Sequence, residues 1–413
     1  MRQCTTAATM RLMHEIHPPP QERRRFVAGT MTGTSIDGDL DTALVEIVGS
    51  GLSMRAQFVA GHSHELGELA ADLRRIAMQE PLAASAFARI GRAFGEAHAD
   101  ALSDLCGIAG VSPDLAVLHG QTVFHAPPLT WQLLDPWPVA TRLQCRVRYD
   151  LRGANVANGG QGAPITPLAD FVLFGCTEDL IVMNLGGFIN ATLVPSKERG
   201  IDAIRGFDVC ACNHLLDRVA RARLGTSFDK DGEAALRGVA HERTSREISR
   251  AIAPERASID RPDASARRSL GTGDEAARLI ELTSHLSPDD ACRTVADAIA
   301  DAAMRVILSE TASPATRILL AGGSARNQAL RDAIARRTNA PVQTTAESHG
   351  IPIHMREAVE IAILGALADD GVRYALPQVT GTASRVMDSA VIEQLGARSA
   401  LTSEPNLHNS LTA

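Results

Sequence analysis

Apolar residues along this chain fall into short runs that are separated by glycine-rich and polar turns. Two such runs, at 26–28 and 43–48, flank a turn of glycine, hydroxyl and aspartate residues, so we predict a β-hairpin there. The pattern returns at 180–194, where apolar runs surround Gly186 and Gly187. The two predicted hairpins differ in sequence and share one architecture, which indicates one unit of this kind in each of two domains.

Helical spacing of apolar residues predicts helices within 68–106, at 291–308, at 328–337 and at 356–367. Pro81 should divide the first of these in two. Predicted strands at 115–118 and 318–321 run directly into the polar residue His119 and the Gly322-Gly323 pair. Because α/β folds bind ligands at the carboxyl ends of buried strands, these two points are candidate binding positions in a predicted α/β fold.

The length of 413 residues exceeds one ordinary core and predicts two domains. We assign domain I to 26–178, completed by the C-terminal helical segment 356–396, and domain II to 179–355. Residues 1–25 carry three consecutive prolines and an arginine cluster without the apolar core of a secretory signal. We therefore predict a disordered tail there, with a targeting segment as the weaker alternative, and a second tail at 397–413.

Composition narrows the classes of protein. The chain is 45% hydrophobic and 22% charged, which is typical of a soluble globular protein. The net charge of −7 and the aromatic content of 3% argue against a general nucleic-acid binder. No apolar run reaches membrane-spanning length, and the seven scattered cysteines indicate a reducing compartment, so we expect a cytoplasmic protein. The oligomeric state stays open, with a homodimer among the options.

The turn of the first hairpin carries chemistry that suits a phosphate. Its glycines let successive backbone N–H groups converge on an anion, and Thr34 and Ser35 add hydroxyl donors. Asp37 could hold a metal ion through water. No Gly-Lys-Thr or Gly-Lys-Ser follows, so this is not a Walker loop. The alternative is an ordinary turn joining two strands.

A second group of polar residues suits a sugar or a phosphate. His119 stands beside Gln121 at a predicted strand end, and Arg152 and Gln161 offer planar hydrogen-bonding groups. The alternatives are a structural histidine and a plain Gly/Pro loop. Further on, Cys210, Cys212 and His214 are close enough in sequence for part of a zinc site, although small residues filling a tight loop is the preferred interpretation.

Taken together in their order, the motifs resemble those of the anhydro-N-acetylmuramic acid kinase family. The most specific are His119-Gly120-Gln121-Thr122 and Gly159-Gly160-Gln161-Gly162-Ala163-Pro164. The resemblance implies a two-domain, actin-like α/β fold with ATP and Mg²⁺ in the cleft. It also implies a reaction in which water opens a 1,6-anhydro sugar ring and O6 receives the γ-phosphoryl group. The matching segments are 31–38, 118–122, 150–167, 183–190, 206–208 with Asn213, 228–232, 321–327, 357–358 and 376–381.

The resemblance also assigns residues. Asp208 falls at the position of the base that activates water, and Glu357 falls at a second carboxylate near the sugar. Asp37 is implied as an outer-shell partner of Mg²⁺. Sugar-binding candidates are His119, Gln121, Arg152 and Gln161. Candidates for ATP and phosphate binding are Gly33, Thr34, Ser35, Ile36, Asp37, Gly38, Asn184, Gly186, Gly187, Gly322, Gly323 and Asn327.

The chain departs from the family pattern at several positions. Val209-Cys210-Ala211-Cys212 replaces Thr-Gly-Pro-Gly after Asp208, and we expect strain there because cysteine does not readily adopt a positive φ. Asn155 stands where the family usually has aspartate, and the stretch 38–41 carries one extra residue. These departures leave two alternatives open: a kinase for a different anhydrosugar, and a weakly catalytic nucleotide- or sugar-binding relative.

Overall fold

A computed structural model describes residues 23–33, 36, 39–253, 274–311, 315–382 and 387–393. The predicted C-terminal tail and residues 1–22 of the predicted N-terminal tail lie outside these ranges. The strands are β1 (Arg24–Met31), β2 (Asp39–Val48), β3 (Arg55–Glu65), β4 (Leu115–Leu118), β5 (Gln121–Ala126), β6 (Leu129–Leu133), β7 (Arg146–Tyr149), β8 (Leu180–Leu185), β9 (Phe188–Val194), β10 (Arg205–Ala211), β11 (Arg317–Ala321), β12 (Val342–Thr344) and β13 (Ala390–Ile392).

The α-helices lie between these strands along the chain, with α6 to α10 following one another without an intervening strand in the described residues. They are α1 (Glu68–Ala77), α2 (Ala84–Ala109), α3 (Trp137–Leu143), α4 (Gly153–Ala157), α5 (Pro167–Phe174), α6 (Asn213–Arg223), α7 (Glu233–Arg237), α8 (Glu242–Ile252), α9 (Asp274–Thr283), α10 (Pro288–Glu310), α11 (Gln328–Ala335), α12 (Thr345–His349), α13 (Arg356–Asp369) and α14 (Pro377–Thr380).

Two mixed sheets have the same internal plan. In the first, β1, β2 and β3 are antiparallel neighbours, and β4 and β7 continue parallel to β1. In the second, β8, β9 and β10 are antiparallel neighbours, and β11 and β12 continue parallel to β8. Each sheet therefore begins with one of the predicted hairpins. This duplication is what the actin-like prediction requires, and the predicted α/β fold class is confirmed.

Helix α13 lies between the two hairpins and is apolar on nearly all sides, as expected of a helix packed on several faces. It contacts β1, β2 and β4 very closely. A Cβ atom on Gly29 would lie 2.0 Å from the Ala358 carbonyl oxygen, and one on Gly365 would lie 2.1 Å from Val117 Cγ2. Only glycine permits this approach, which fixes the first turn of α13 at the edge of both sheets.

The core beneath α13 is continuous across the two sheets. Val27 of β1, Leu180 of β8 and Leu319 of β11 all belong to one buried apolar cluster with α5 and α13. Interior strands of both sheets therefore contribute side chains to one core. Among the residues described, no helix has the length and apolar character required to cross a membrane.

The helix predicted at 356–367 is confirmed as α13. It ends at Asp369, because Gly371 follows with a left-handed φ of +78°, so the segment 356–396 assigned to domain I is helical only in part. The chain then returns to the first sheet, where Ala390–Ile392 pairs with β7. Pro81 does divide the first predicted helix, since α1 ends before it and α2 begins after it.

Candidate active site

His119 follows β4 directly and lies at the carboxyl edge of the first sheet. Its backbone N–H donates to the Thr30 carbonyl at 3.3 Å, and its Nε2 lies 2.9 Å from Gln132 Nε2 and 3.3 Å from Arg152 Nη2. Burial first, and then the charge of Arg152, holds the pKa of His119 well below its ordinary value. The imidazole is therefore neutral, with Nε2 accepting from both donors.

Several buried polar atoms beside His119 have no hydrogen-bond partner among the described residues. They are His119 Nδ1, Gln121 Oε1, Thr122 Oγ1, Gln132 Oε1 and Arg152 Nε. Buried polar atoms in native proteins nearly always find partners, and a substrate can supply them. The hydroxyl and amide groups of a sugar match this mixed set of donors and acceptors, so the predicted placement of His119, Gln121 and Arg152 on one binding surface is coherent.

Gln161 belongs to a loop that Asn155 holds in place. Asn155 is 1% exposed; its Nδ2 donates to Thr380 Oγ1 at 3.0 Å, and its Oδ1 accepts from the Gly162 N–H at 2.8 Å. The Gln161 N–H in turn donates to the Thr380 carbonyl at 2.7 Å. The same Nδ2 also donates to the Thr382 carbonyl, a bond that the family's usual ionised aspartate could not make.

Arg152 is influenced by both carboxylates that the sequence analysis identified. Burial lowers the pKa of Arg152, and the negative charges of Glu357 and Asp208 act in the opposite direction. Glu357 is on α13 against the first sheet, whereas Asp208 is on β10 of the second. Glu357 and Asp208 therefore belong to different sheets, and each lies near enough to Arg152 to act on its charge.

Glu357 lies in the first turn of α13 and reaches the second sheet. Its Oε1 accepts a hydrogen bond from Asn184 Nδ2 of β8 at 3.2 Å. Burial raises the pKa of Glu357 above its ordinary value, and the charge of Asp41 adds to this, while Arg356, Arg152 and the Asn184 bond oppose it. A carboxyl group with a raised pKa inside a cleft is typical of a group that exchanges protons.

Asp208 is exposed and lies at a β-bulge in the edge strand β10. It pairs with Asn190, and pairing resumes between Cys210 and Ile189, so Val209 is the extra residue. A bulge re-aims the adjacent side chains of an edge strand. Unlike Glu357, Asp208 is open to water, which is the environment a base needs if water is the nucleophile.

The strain that we expected at Cys210 and Cys212 is absent. Neither residue has a positive φ, because Cys210 is part of β10 and Cys212 is the residue before α6, at φ −133°. Both thiols are buried in the apolar core of the second sheet. Burial raises the pKa of Cys210 far above its ordinary value and that of Cys212 to about 12.

These thiols do not form a metal site with His214. The metal-ligating atoms of the three residues do not come together in the described part of the chain, and protonated thiols are poor ligands. The His214 ring instead packs edge-on against Phe188 at 5.3 Å. The alternative reading, in which small residues fill a tight space, is the one that the structure supports.

Replacing Cys210 and Cys212 by glycine will therefore cost stability without raising phosphoryl transfer. The double variant loses two buried side chains and gains two flexible residues, which together should lower the free energy of unfolding by about 2–4 kcal/mol. Chemical denaturation followed by a kinase assay measures both effects. An alanine double variant is the control, since it isolates the glycine contribution. Faster turnover in the glycine variant would contradict the conclusion that both cysteines lie in the apolar core and away from the phosphates.

The predicted nucleotide residues of the second sheet converge beside Glu357. Gly186 and Gly187 form the turn between β8 and β9, and Gly322 follows β11 with φ +83°. A Cβ atom on Gly322 would lie 2.7 Å from Asn184 Oδ1. A Cβ atom on Gly323 would meet no atom within 4 Å, so the backbone here borders open space. The Gly322 N–H donates to the Ile353 carbonyl at 2.9 Å, so it is the open space at Gly323 that suits a phosphate or ribose.

Two other residues that were predicted to bind the nucleotide, Asn327 and Ile36, have structural roles. Asn327 caps α11 by accepting from the Leu330 N–H at 3.0 Å, so its side-chain oxygen is already engaged. Ile36 has φ +50° and a buried side chain in the core that α1 and α2 form. Its N–H donates to the Gly33 carbonyl at 3.1 Å. Thr34, Ser35, Asp37 and Gly38 lie outside the described residues.

Asp41 is a site residue that the sequence analysis did not single out. Its Oδ1 accepts from Ser63 Oγ at 2.5 Å, and burial raises its pKa while the charge of His354 opposes this. The charge of Asp41 also raises the pKa of Glu357, and both carboxylates lie on the side of the first sheet. Asp41 supplies a carboxylate, the type of ligand that Mg²⁺ prefers. Its position in the first hairpin, next to the predicted phosphate turn, is the sequence feature that could have identified Asp41.

This chain is similar in sequence to known proteins over most of its length. The family model of anhydro-N-acetylmuramic acid kinase matches residues 25–394. The anhydro-N-acetylmuramic acid kinase of Bordetella petrii is 35% identical over 392 residues, covering 86% of this chain and 93% of the relative. That of Synechococcus sp. (strain CC9605) is 31% identical over 369 residues, covering 86% and 95%.

Among solved structures, the activator of 2-hydroxyisocaproyl-CoA dehydratase from Clostridium difficile, with bound ADPNP, is similar at a TM-score of 0.43 and 12% identity, covering 84% of this chain and 96% of that one. The family match spans nearly all of the described residues, and the relatives align over almost their full length. This chain belongs to the anhydro-N-acetylmuramic acid kinase family.

Proposed function

We propose that this protein is an ATP-dependent kinase that opens the 1,6-anhydro ring of anhydro-N-acetylmuramic acid and phosphorylates O6. The product is N-acetylmuramic acid 6-phosphate, an intermediate in the recycling of cell-wall peptidoglycan. The observation that carries the proposal is the group of unpartnered buried polar atoms around His119 and Arg152, with Glu357 and Asp208 near enough to act on the charge of Arg152.

The chemistry needs one proton transfer and two bond exchanges. Asp208 takes a proton from water, and the water oxygen bonds to the anomeric carbon while the bond from that carbon to O6 breaks. O6 then bonds to the γ-phosphorus of ATP, and ADP leaves with the electron pair of the broken bond. Arg152 offsets the negative charge that gathers on Asp208, Glu357 and O6 during these steps.

The sugar side of the site is formed by His119, Gln121, Arg152 and Gln161. The neutral imidazole of His119 is locked by Gln132 and Arg152, so its free Nδ1–H has a fixed direction. Sugar hydroxyl and amide groups would complete the hydrogen bonds of Gln121 and Arg152. Positioning of this kind supplies much of the acceleration in phosphoryl transfer.

The nucleotide side is formed by the two glycine turns. Gly33 at the first hairpin, Asn184, Gly186 and Gly187 at the second, and Gly322 and Gly323 after β11 would form the surface against which the phosphates lie. Asp41 would hold Mg²⁺, and Asp37 remains a predicted partner of that ion. The cation neutralises charge on the transferring group when it is bound. We place the division between the two domains at 178/179 and the reaction in the cytoplasm.

A coupled ADP-release assay over a panel of 1,6-anhydrosugars tests the proposal. We expect ATP-dependent release with the muramic sugar and little with sugars that lack its lactyl ether. In H₂¹⁸O, the product should carry the label at the anomeric hydroxyl and none in the phosphate. Faster release with another anhydrosugar, or calorimetric binding of sugar and ATP without release, would contradict it.

A further inference from the structure

A second group of potential metal ligands lies outside the cleft, on the outer edge of the first sheet. His62 and His64 are on β3, and Asp104 is on α2. One ligand atom from each of the three residues lies within 4.8 Å of the other two. We propose that His62, His64 and Asp104 bind a zinc-like divalent transition metal, separate from the Mg²⁺ that accompanies ATP.

The backbone places the two histidines side by side. Side chains alternate along a strand, so residues 62 and 64 share one face of β3, and Ser63 points to the other face. Pairing with β2 fixes this register, with His62 opposite Thr42 and His64 opposite Leu40. The Thr42 hydroxyl also donates to the His62 carbonyl at 2.9 Å. The resulting ring pair is edge-on, with centroids 6.3 Å apart.

Helix α2 supplies the third ligand. It packs across β2 and β3, and Asp104 Oδ2 lies 3.6 Å from His62 Nε2. The nearby Asp100, one turn earlier, is instead paired with Arg142. Among the described residues, no cation other than a histidine pairs with Asp104, and no hydrogen bond fixes the ring nitrogens of His62 or His64. The three groups are therefore available to a common ligand.

The donor set selects the class of metal. Two imidazoles and one carboxylate suit Zn²⁺ and related ions, whereas Mg²⁺ prefers an all-oxygen set. Ligand atoms bound to one zinc ion are about 3–3.5 Å apart, so the present separations need side-chain movements on the order of 1 Å. Half-buried histidines and the exposed Asp104 allow such movements, and the open side leaves room for water as a fourth ligand.

A simple His–Asp ion pair explains less of this arrangement. Such a pair needs only His62 and Asp104, and it gives no reason for His64 to bring a ring nitrogen to the same point. The chain offers a matched comparison, because His241 and His285 also form an edge-on ring pair, at 5.4 Å. That pair lacks a third described ligand within the same distance, so it is the natural control.

The test is a metal titration of the full chain after removal of metal by a chelator. Calorimetry with Zn²⁺ should show one saturable site, and Co²⁺ should give the visible absorption of a low-symmetry nitrogen and oxygen site. His64→Ala and Asp104→Asn should each weaken binding by at least about 10–100-fold, since even outer partners of metal ligands have effects of that size. His285→Ala should leave the affinity unchanged.

Circular dichroism of the metal-free variants will confirm that they fold as the parent does. If His64→Ala fails to fold, Asp104→Asn still tests the site, because asparagine keeps the size and shape of the aspartate side chain. A titration without a saturable site would overturn the proposal. So would binding that survives both His64→Ala and Asp104→Asn, or that is lost in His285→Ala. None of these outcomes depends on kinase activity, so failure here is distinct from failure of the proposed function.

Discussion

Replacement of Asp208 by asparagine will lower kcat by about 10²–10⁴-fold, the usual contribution of a general base. Asparagine keeps the size of the side chain but cannot accept a proton from water. Asp208 is exposed and is one of two carboxylates that act on Arg152, so its removal should leave the fold and the glycine turns intact. ATP affinity, measured by calorimetry, is therefore expected to stay close to that of the parent.

Two further variants sharpen this result. Asp202→Asn changes an exposed aspartate shortly before β10 in the same way and should have no effect on turnover. Glu357→Gln should reduce both sugar affinity and rate, less severely than Asp208→Asn, because Glu357 also has Asn184 as a partner. Near-normal turnover in Asp208→Asn would remove Asp208 from the proposed mechanism.

Local patterns in the sequence predicted many of the strands and helices of the fold. Both hairpins, the strand before His119 and the helices on either side of Pro81 follow from runs and spacings within a few residues, and each is confirmed. Strands β3, β7 and β13 were not predicted. They lie at or near the edge of the first sheet, and their assignment depends on partners far away in sequence, such as Ala390 opposite Tyr149.

In the candidate site, too, local motifs identified individual residues, whereas the contacts between them depend on parts of the chain that are far apart in sequence. Asp208, Glu357 and Arg152 could be identified from motifs, but the nearness of both carboxylates to Arg152 depends on the packing of α13 between the two sheets. Asn155 appeared as a departure from the family, and only the structure shows it holding the Gln161 loop to Thr380, 225 residues away. Cys210 and Cys212 were misjudged because strand β10 and the start of α6 were taken for a loop, and neither residue has a positive φ.

The position of Glu357 depends on a buried ionic group one residue away. Arg356 Nη2 lies 2.6 Å from Asp170 Oδ1 and 2.6 Å from Glu360 Oε1, and all three side chains are at most 2% exposed. Burial raises the pKa of Glu360 well above its ordinary value, and the charge of Arg356 opposes this. The guanidinium group is therefore the one cation that compensates two carboxyl groups in the described core around α5 and α13.

Arg356→Met will lower the free energy of unfolding by about 3–5 kcal/mol near neutral pH, because it leaves buried carboxylates without a counter-charge. The pKa of Glu360, already raised by burial, should rise further in the folded variant. A carboxyl group whose folded pKa lies above its unfolded value favours the folded state at low pH and loses that contribution as pH rises. The loss of stability in the variant should therefore become smaller between neutral pH and about pH 5, as measured by urea denaturation at both pH values.

Arg336→Met is the control. It breaks a more exposed pair with Asp297 and should lower the free energy of unfolding by no more than about 1 kcal/mol at either pH. An Arg356→Met variant as stable as Arg336→Met, or one whose loss of stability grows on acidification, would show that this group does not set the stability of the helix that carries Glu357.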